Sequence, residues 1–164
     1  MERFPTQMSG QKTLLLTATA WQEILQHAQE TFPEECCGVI LSNGSTDHVQ
    51  RLRNIQNQLH ANNPAENPRD ATIAYQFDQT EFVPVIREAE ATGYWLKAFY
   101  HSHPNHEAYF SEEDKAGATP FGEPTFPETA HIVVSIYERI VRRICAYGWS
   151  EEQKDFVEIP VKRV

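Results

Sequence analysis

The stretch Tyr94-Trp95-Leu96-Lys97-Ala98-Phe99-Tyr100-His101-Ser102-His103-Pro104 constrains the fold more than any other part of the chain. An apolar run followed by proline reads as a buried strand, because proline has no N–H to donate and stops the ladder. Residues two apart in a strand share a face, so His101 and His103 point one way and Ser102 the other. Ser111-Glu112-Glu113-Asp114 then reads as the start of a helix that brings a carboxylate back towards the strand end. Two neutral imidazoles and one carboxylate leave a fourth tetrahedral position open for water. That is the arrangement of a catalytic zinc rather than a structural one.

The remaining elements follow from periodicity and punctuation. Residues 13–17 read as a strand. From Thr19 to Phe32 the apolar positions Trp21, Ile24, Leu25, Ala28 and Phe32 recur at helical spacing, and Pro33 ends the helix. Gly38–Leu41 is a short buried strand, turned by Ser42-Asn43-Gly44 into a second strand at 48–54. Residues 55–70, rich in Asn and Pro, are expected to be irregular, and 72–77 to return to strand. Asp78-Gln79-Thr80-Glu81 opens a helix carrying Phe82, Val85, Ile86 and Ala89, with Gly93 as its stop. Residues 119–124 form a second loop, 131–136 and 140–147 a β-hairpin, and 156–161 a last strand. The order β-α-β-β-β-α-β-α-β-β points to an α/β fold: a single-domain α-β sandwich on a mixed, mostly antiparallel sheet flanked by helices. Residues 1–11 read as a loose polar tail and residues 12–164 as the domain.

Composition removes several function classes. A chain of 164 residues supports one domain with its own core. Its net charge of −9 argues against a nucleic-acid partner, which needs concentrated Lys and Arg. No apolar run is long enough to cross a bilayer, and the first residues lack the pattern of a secretory signal. Cys36, Cys37 and Cys145 are odd in number and two are adjacent, which disfavours a disulfide framework and favours a reducing cytoplasm.

Each chemical residue also has a plainer reading. A lone histidine is usually structural, and the His101/His103 pair is exceptional because of its spacing and the carboxylate downstream. Ser111 and Asp114 match a helix capping box, so Ser111 can cap while Asp114 also binds metal. Glu34 and Glu35 taken alone are a solvated corner. Cys36 and Cys37 point apart and read as packing residues. His106 reads as an exposed loop residue and His131 as structural; Ser135 can approach the site, although nothing in the sequence requires it.

Taken together, Pro33-Glu34-Glu35-Cys36-Cys37-Gly38 and His101-Ser102-His103-Pro104 through Ser111-Glu112-Glu113-Asp114 resemble the JAMM (MPN+) metalloprotease family, in particular its small bacterial members. The resemblance runs from the first strand to about Tyr147. It implies a cytidine-deaminase-like sandwich in which His101, His103 and Asp114 bind Zn2+. Glu35, favoured over Glu34 as the acid by its spacing to Gly38, would deprotonate a water on the zinc and pass the proton to the leaving amine, and Ser111 would donate to the oxyanion. The implied substrate is the bond after the C-terminal glycine of a ubiquitin-like protein, with a sulfur-carrier protein favoured for so short a chain. Residues 55–70 and 119–127 would then shape the substrate groove. Iron oxygenases with a facial triad commonly pair His-x-Asp/Glu with a distant His, whereas this carboxylate comes from a helix just downstream; DNA-repair relatives with the same His-x-His-Pro core fit neither Glu35 nor the acidic charge. The rival from a different class is a non-catalytic MPN-type scaffold, which would typically lack some of the motif residues present here. Oligomeric state is not legible in the sequence.

Overall fold

The computed structural model describes residues 12–164. Its central strand, β4 (Trp95–Pro104), sorts its side chains by alternation. Ala98, Tyr100 and Ser102 face one side; Phe99, His101 and His103 face the other. β4 lies between β2 (Cys37–Ser42), antiparallel to it, and β5 (Ala130–Tyr137), parallel to it. With β3 (Asp47–Leu52), β6 (Ile140–Ser150) and β7 (Asp155–Ile159) the order of this six-stranded sheet is β3-β2-β4-β5-β6-β7. Within this sheet only the β4–β5 pair is parallel, so the expected mixed, mostly antiparallel sheet is found.

Helix α1 (Ala18–Thr31) covers the Tyr100 face. Thr17 caps it by accepting from the Ala20 N–H, and the Thr17 N–H is held by Asp47. Ile24 and Ala28 pack on Ile40, Tyr100, Ile132 and Val134 in one buried cluster. Completing this layer, β1 (Leu14–Leu16) pairs in parallel with β8 (Val161–Arg163). The single terminal strand expected at 156–161 is therefore two, divided at Pro160, whose carbonyl receives the Leu14 N–H. On the opposite face α3 (Gln79–Ala91) sets Phe82 and Ala89 against Val39, Leu41 and Phe99.

Two expectations are corrected. The 55–70 stretch contains a short helix, α2 (Gln56–Asn62), started by Asn54, whose side-chain oxygen accepts from the Gln56 N–H. It lacks the apolar periodicity that would have announced it. Residues 72–77 alternate like a strand but join the β-structure only through the single bridge Asn54↔Phe77. Asn54 replaces the ladder: its side-chain oxygen accepts from the Gln76 N–H and its amide donates to the carbonyls of Ala74 and Glu35. The tail assigned to residues 1–11 lies outside the described residues.

Under α1, the Tyr100 hydroxyl meets His27 Nδ1 at 2.7 Å. Burial holds the His27 imidazole neutral, lowering its pKa to about 4. Between pH 6.5 and 4 the unfolded chain would bind a proton there that the folded chain refuses, so stability falls as pH falls through that window. Wild type should lose about 2 kcal/mol more than His27→Gln between pH 7 and pH 5, measured by urea denaturation.

Candidate metal centre and active-site cleft

His101 Nε2, His103 Nε2 and Asp114 Oδ2 converge on one point at the C-terminal end of β4. The His101–His103 distance is 3.2 Å, and Asp114 lies 3.1 Å from His101 and 3.2 Å from His103. A tetrahedral zinc with ligands at about 2.0–2.1 Å requires edges of about 3.3 Å. The triangle therefore fits zinc with little adjustment, and it is the one such group among the described residues. Burial works to raise the Asp114 carboxyl, but the two histidines outweigh it and hold the group well below the usual carboxylate range.

Helix α4 (Glu112–Ala118) delivers Asp114. Ser111 Oγ accepts from the Asp114 N–H, and the Ser111 N–H donates to Asp114 Oδ2, both at 3.0 Å. Cap and triad thus share one carboxylate oxygen, and the capping box read from the sequence is present. Ser111 keeps its own hydroxyl proton on the cleft wall. His103 Nδ1 lies 2.8 Å from the carbonyl of Glu107, so it carries the ring proton and leaves Nε2 as the free acceptor. That carbonyl belongs to a loop fastened from below. Ser135 Oγ donates to the carbonyl of His106 and the Tyr147 hydroxyl to that of Ala108, each at 2.6 Å. Ser135 therefore acts on the loop rather than on the metal triangle. Tyr147→Phe should free the loop and weaken zinc binding by up to about tenfold, read by competition with a zinc chelator.

Glu35 is 5% exposed and lines the same cleft as His103, Ser111 and Asp114. Burial pushes its carboxyl up to about 8, against the opposing pull of His103. Its backbone is fixed on both sides, by its own N–H to the Ala71 carbonyl and by Asn54 on its carbonyl. Glu34 turns the other way, its carboxylate accepting from Asn57 on α2. Cys36, just before β2, and Cys37, its first residue, are buried free thiols, as expected of packing residues. His106 bonds the Pro104 carbonyl at the cleft edge.

The cleft measures about 490 Å³. One wall runs from Arg69 through residues 73–77; the other comes from α4 and from Pro120, Thr125 and Phe126. The second loop, expected to shape a substrate groove, lines this cleft. The first contributes mainly beyond its expected end, because α2 sits behind it and pins the carbonyl of Arg69 through Gln56. Tyr75 stacks on His101 at 4.5 Å, and neither it nor Asn54 carries a sequence signal for such a role.

A model of prokaryotic homologs of the JAB domain matches residues 17–148, a span that holds both motifs and the whole cleft-facing part of the sheet. The chain belongs to this family. It is 34% identical over 110 residues to the desampylase of Haloferax volcanii, covering 65% of this chain and 73% of that protein. With the CysO-cysteine peptidase of Mycobacterium tuberculosis the identity is 28% over 122 residues, covering 74% of this chain and 73% of the relative. Among solved structures, a Desulfitobacterium hafniense protein superposes with a TM-score of 0.68 at 19% identity over 92% of each chain. A JAB1/MPN domain protein from Archaeoglobus fulgidus gives 0.50 at 18% identity, over 91% of this chain and 99% of that one. These likenesses establish a shared fold, the JAB/MPN sandwich that the JAMM resemblance implied. No helix among the described residues is long and apolar enough to cross a membrane.

Proposed function

We propose that this chain is a zinc-dependent peptidase or isopeptidase that hydrolyses the amide bond after the C-terminal glycine of a ubiquitin-like or sulfur-carrier protein. The observation that carries the reading is the triangle of His101, His103 and Asp114 with buried Glu35 in the same cleft. Two relatives named desampylase and CysO-cysteine peptidase support the substrate class. The chemistry zinc supplies when bound is a water acidified to a pKa of about 7 and a polarised carbonyl.

The residues of the chain do the rest. Glu35, held by Asn54 and Ala71, takes a proton from the attacking water as its ionised carboxylate, which burial makes a stronger base, and returns that proton to the leaving amine. Ser111 directs its hydroxyl at the developing oxyanion while its oxygen stays fixed by the Asp114 N–H. The carrier tail lies extended between residues 73–77 and the 120–126 loop, which exclude water from it. Three buried free cysteines suit a reducing compartment, and we place the enzyme in the cytoplasm.

Intact-mass analysis of two substrates tests the reading. One is a ubiquitin-fold carrier ending in Gly-Gly-Cys; the other is the same carrier joined through its terminal glycine to a lysine side chain. Cleavage of either by zinc-loaded wild type and not by Glu35→Gln is expected. Both surviving intact, with zinc stoichiometrically bound, would contradict the proposal.

A further inference from the structure

The cleft is larger than a diglycine tail requires. Such a tail has no side chains, yet the cleft continues along β4 into an aromatic bay. Phe77, Phe82, Phe99 and Phe126 wall it, with ring centroids 5.3–6.2 Å apart between the neighbouring pairs. At its base lies His131, opposite Phe99 in the parallel β4–β5 register. Both stand two residues before the level of His101, which places them about 6–7 Å along the strand from it. That distance is within reach of one amino-acid side chain attached beside the scissile bond.

His131 is the odd member of the bay. It is 7% exposed, its ring stacked at 5.2 Å on Phe99 and flanked by Phe110 at 5.0 Å and Phe156 at 5.3 Å. The faces of the imidazole are covered by aromatic carbon. Its nitrogens have no hydrogen-bond partner among the described residues, and no side-chain nitrogen or oxygen there is both fully enclosed and unpaired, so its polar edge opens into the cleft. Burial also keeps the ring neutral, lowering its pKa to about 4. A neutral imidazole offers one donor and one acceptor. Aromatic walls with an uncharged polar group at the base describe a subsite for an apolar side chain with a hydrogen-bonding tip. Charged side chains would lose their hydration there without gaining an ion partner, and purely apolar ones would leave the imidazole unpaired.

We infer that the aromatic bay is a specificity pocket for a large polar-tipped apolar residue of the substrate, tyrosine foremost, adjoining the scissile bond, with His131 as the group that reads the tip. The inference rests on the proposed peptidase activity for the location of the bond but not for the pocket itself. A site of this kind would make the enzyme discriminate among carriers by a residue next to the glycine terminus as well as by the carrier fold.

Binding without turnover tests the pocket directly. N-acetyl-tyrosinamide and N-acetyl-phenylalaninamide are titrated into the protein, with and without zinc, while the ring nitrogens of His131 are followed by NMR. The tyrosine probe is expected to bind five- to twentyfold tighter and to shift the His131 signals. His131→Phe should retain binding and abolish the preference. Phe126→Trp, which narrows the bay from the loop side, should weaken both probes at least tenfold. Equal affinities in wild type, a preference that survives His131→Phe, or binding indifferent to Phe126→Trp would each overturn the inference. Carriers ending in Gly-Gly-Tyr and in Tyr-Gly-Ala then show which side of the bond the bay serves. Faster cleavage of one over its alanine counterpart supports the pocket, whereas cleavage of both at the alanine rates contradicts it. If the probes discriminate while every carrier stays intact, the pocket stands and the peptidase reading fails.

Discussion

Glu35→Gln is expected to lower turnover by about 10²–10⁴-fold, the usual contribution of a positioned acid–base group, with zinc content unchanged. The side chain touches no member of the triangle within hydrogen-bond distance, so the metal ligands remain as they are. The same change should stabilise the metal-free protein. Burial pushes the Glu35 carboxyl up to about 8 from an ordinary value of 4.5. Between those values the unfolded chain has released a proton that the folded chain keeps, so stability falls as pH rises through the window. Glutamine has no such proton. Metal-free Glu35→Gln should therefore exceed wild type by up to about 3 kcal/mol at pH 7, with the advantage gone at pH 4. Urea denaturation at both pH values, beside a turnover assay, separates this from general damage. Equal stability at pH 7, or retained turnover, would show that Glu35 is not the buried acid of the cleft.

The second large effect belongs to Gly38. A Cβ there would lie 2.5 Å from the Tyr100 hydroxyl and 2.6 Å from both the Tyr100 ring and the Gln50 carbonyl. None of these can retreat. Tyr100 is fully buried and tied to His27, and the carbonyl is backbone of the adjoining strand. Gly38→Ala should cost about 3 kcal/mol or more, the upper end for overpacking a dense core, and should show as a lower urea midpoint. The damage would reach the site, because β2 carries Glu35 at its entry and pairs Cys37 with His101. Unaltered stability would mean that the close approach of β2 to Tyr100 is not what the glycine serves.

What the sequence disclosed depends on how local the signal is. The i, i+2 histidines needed only strand alternation to share a face, and Ser111–Asp114 needed only a helix start. Both are decided within a few residues. The sandwich followed from well-marked apolar runs and their order. By contrast, residues 72–77 alternate like a strand but find no neighbour, since Asn54 takes the bonds a ladder would have made. The role of Asn54 depends on segments about twenty residues away on each side, and no local pattern carries it. His131 looked structural because it stands in an apolar strand. That its polar edge is free depends on Phe99, Phe110 and Phe156 covering its faces, which only the folded chain brings together.

Zinc stoichiometry across a small variant set shows whether His101, His103 and Asp114 hold the metal. Metal-free wild type, Glu35→Gln, His103→Ala and Asp114→Ala are each reconstituted with zinc, passed through a desalting column and analysed for metal by mass spectrometry. The three-acceptor triangle predicts one zinc per chain in wild type and in Glu35→Gln, and a loss of most of it in the other two. Zinc retained by His103→Ala and Asp114→Ala, or absent from wild type, would contradict the assignment of the triangle as the metal centre.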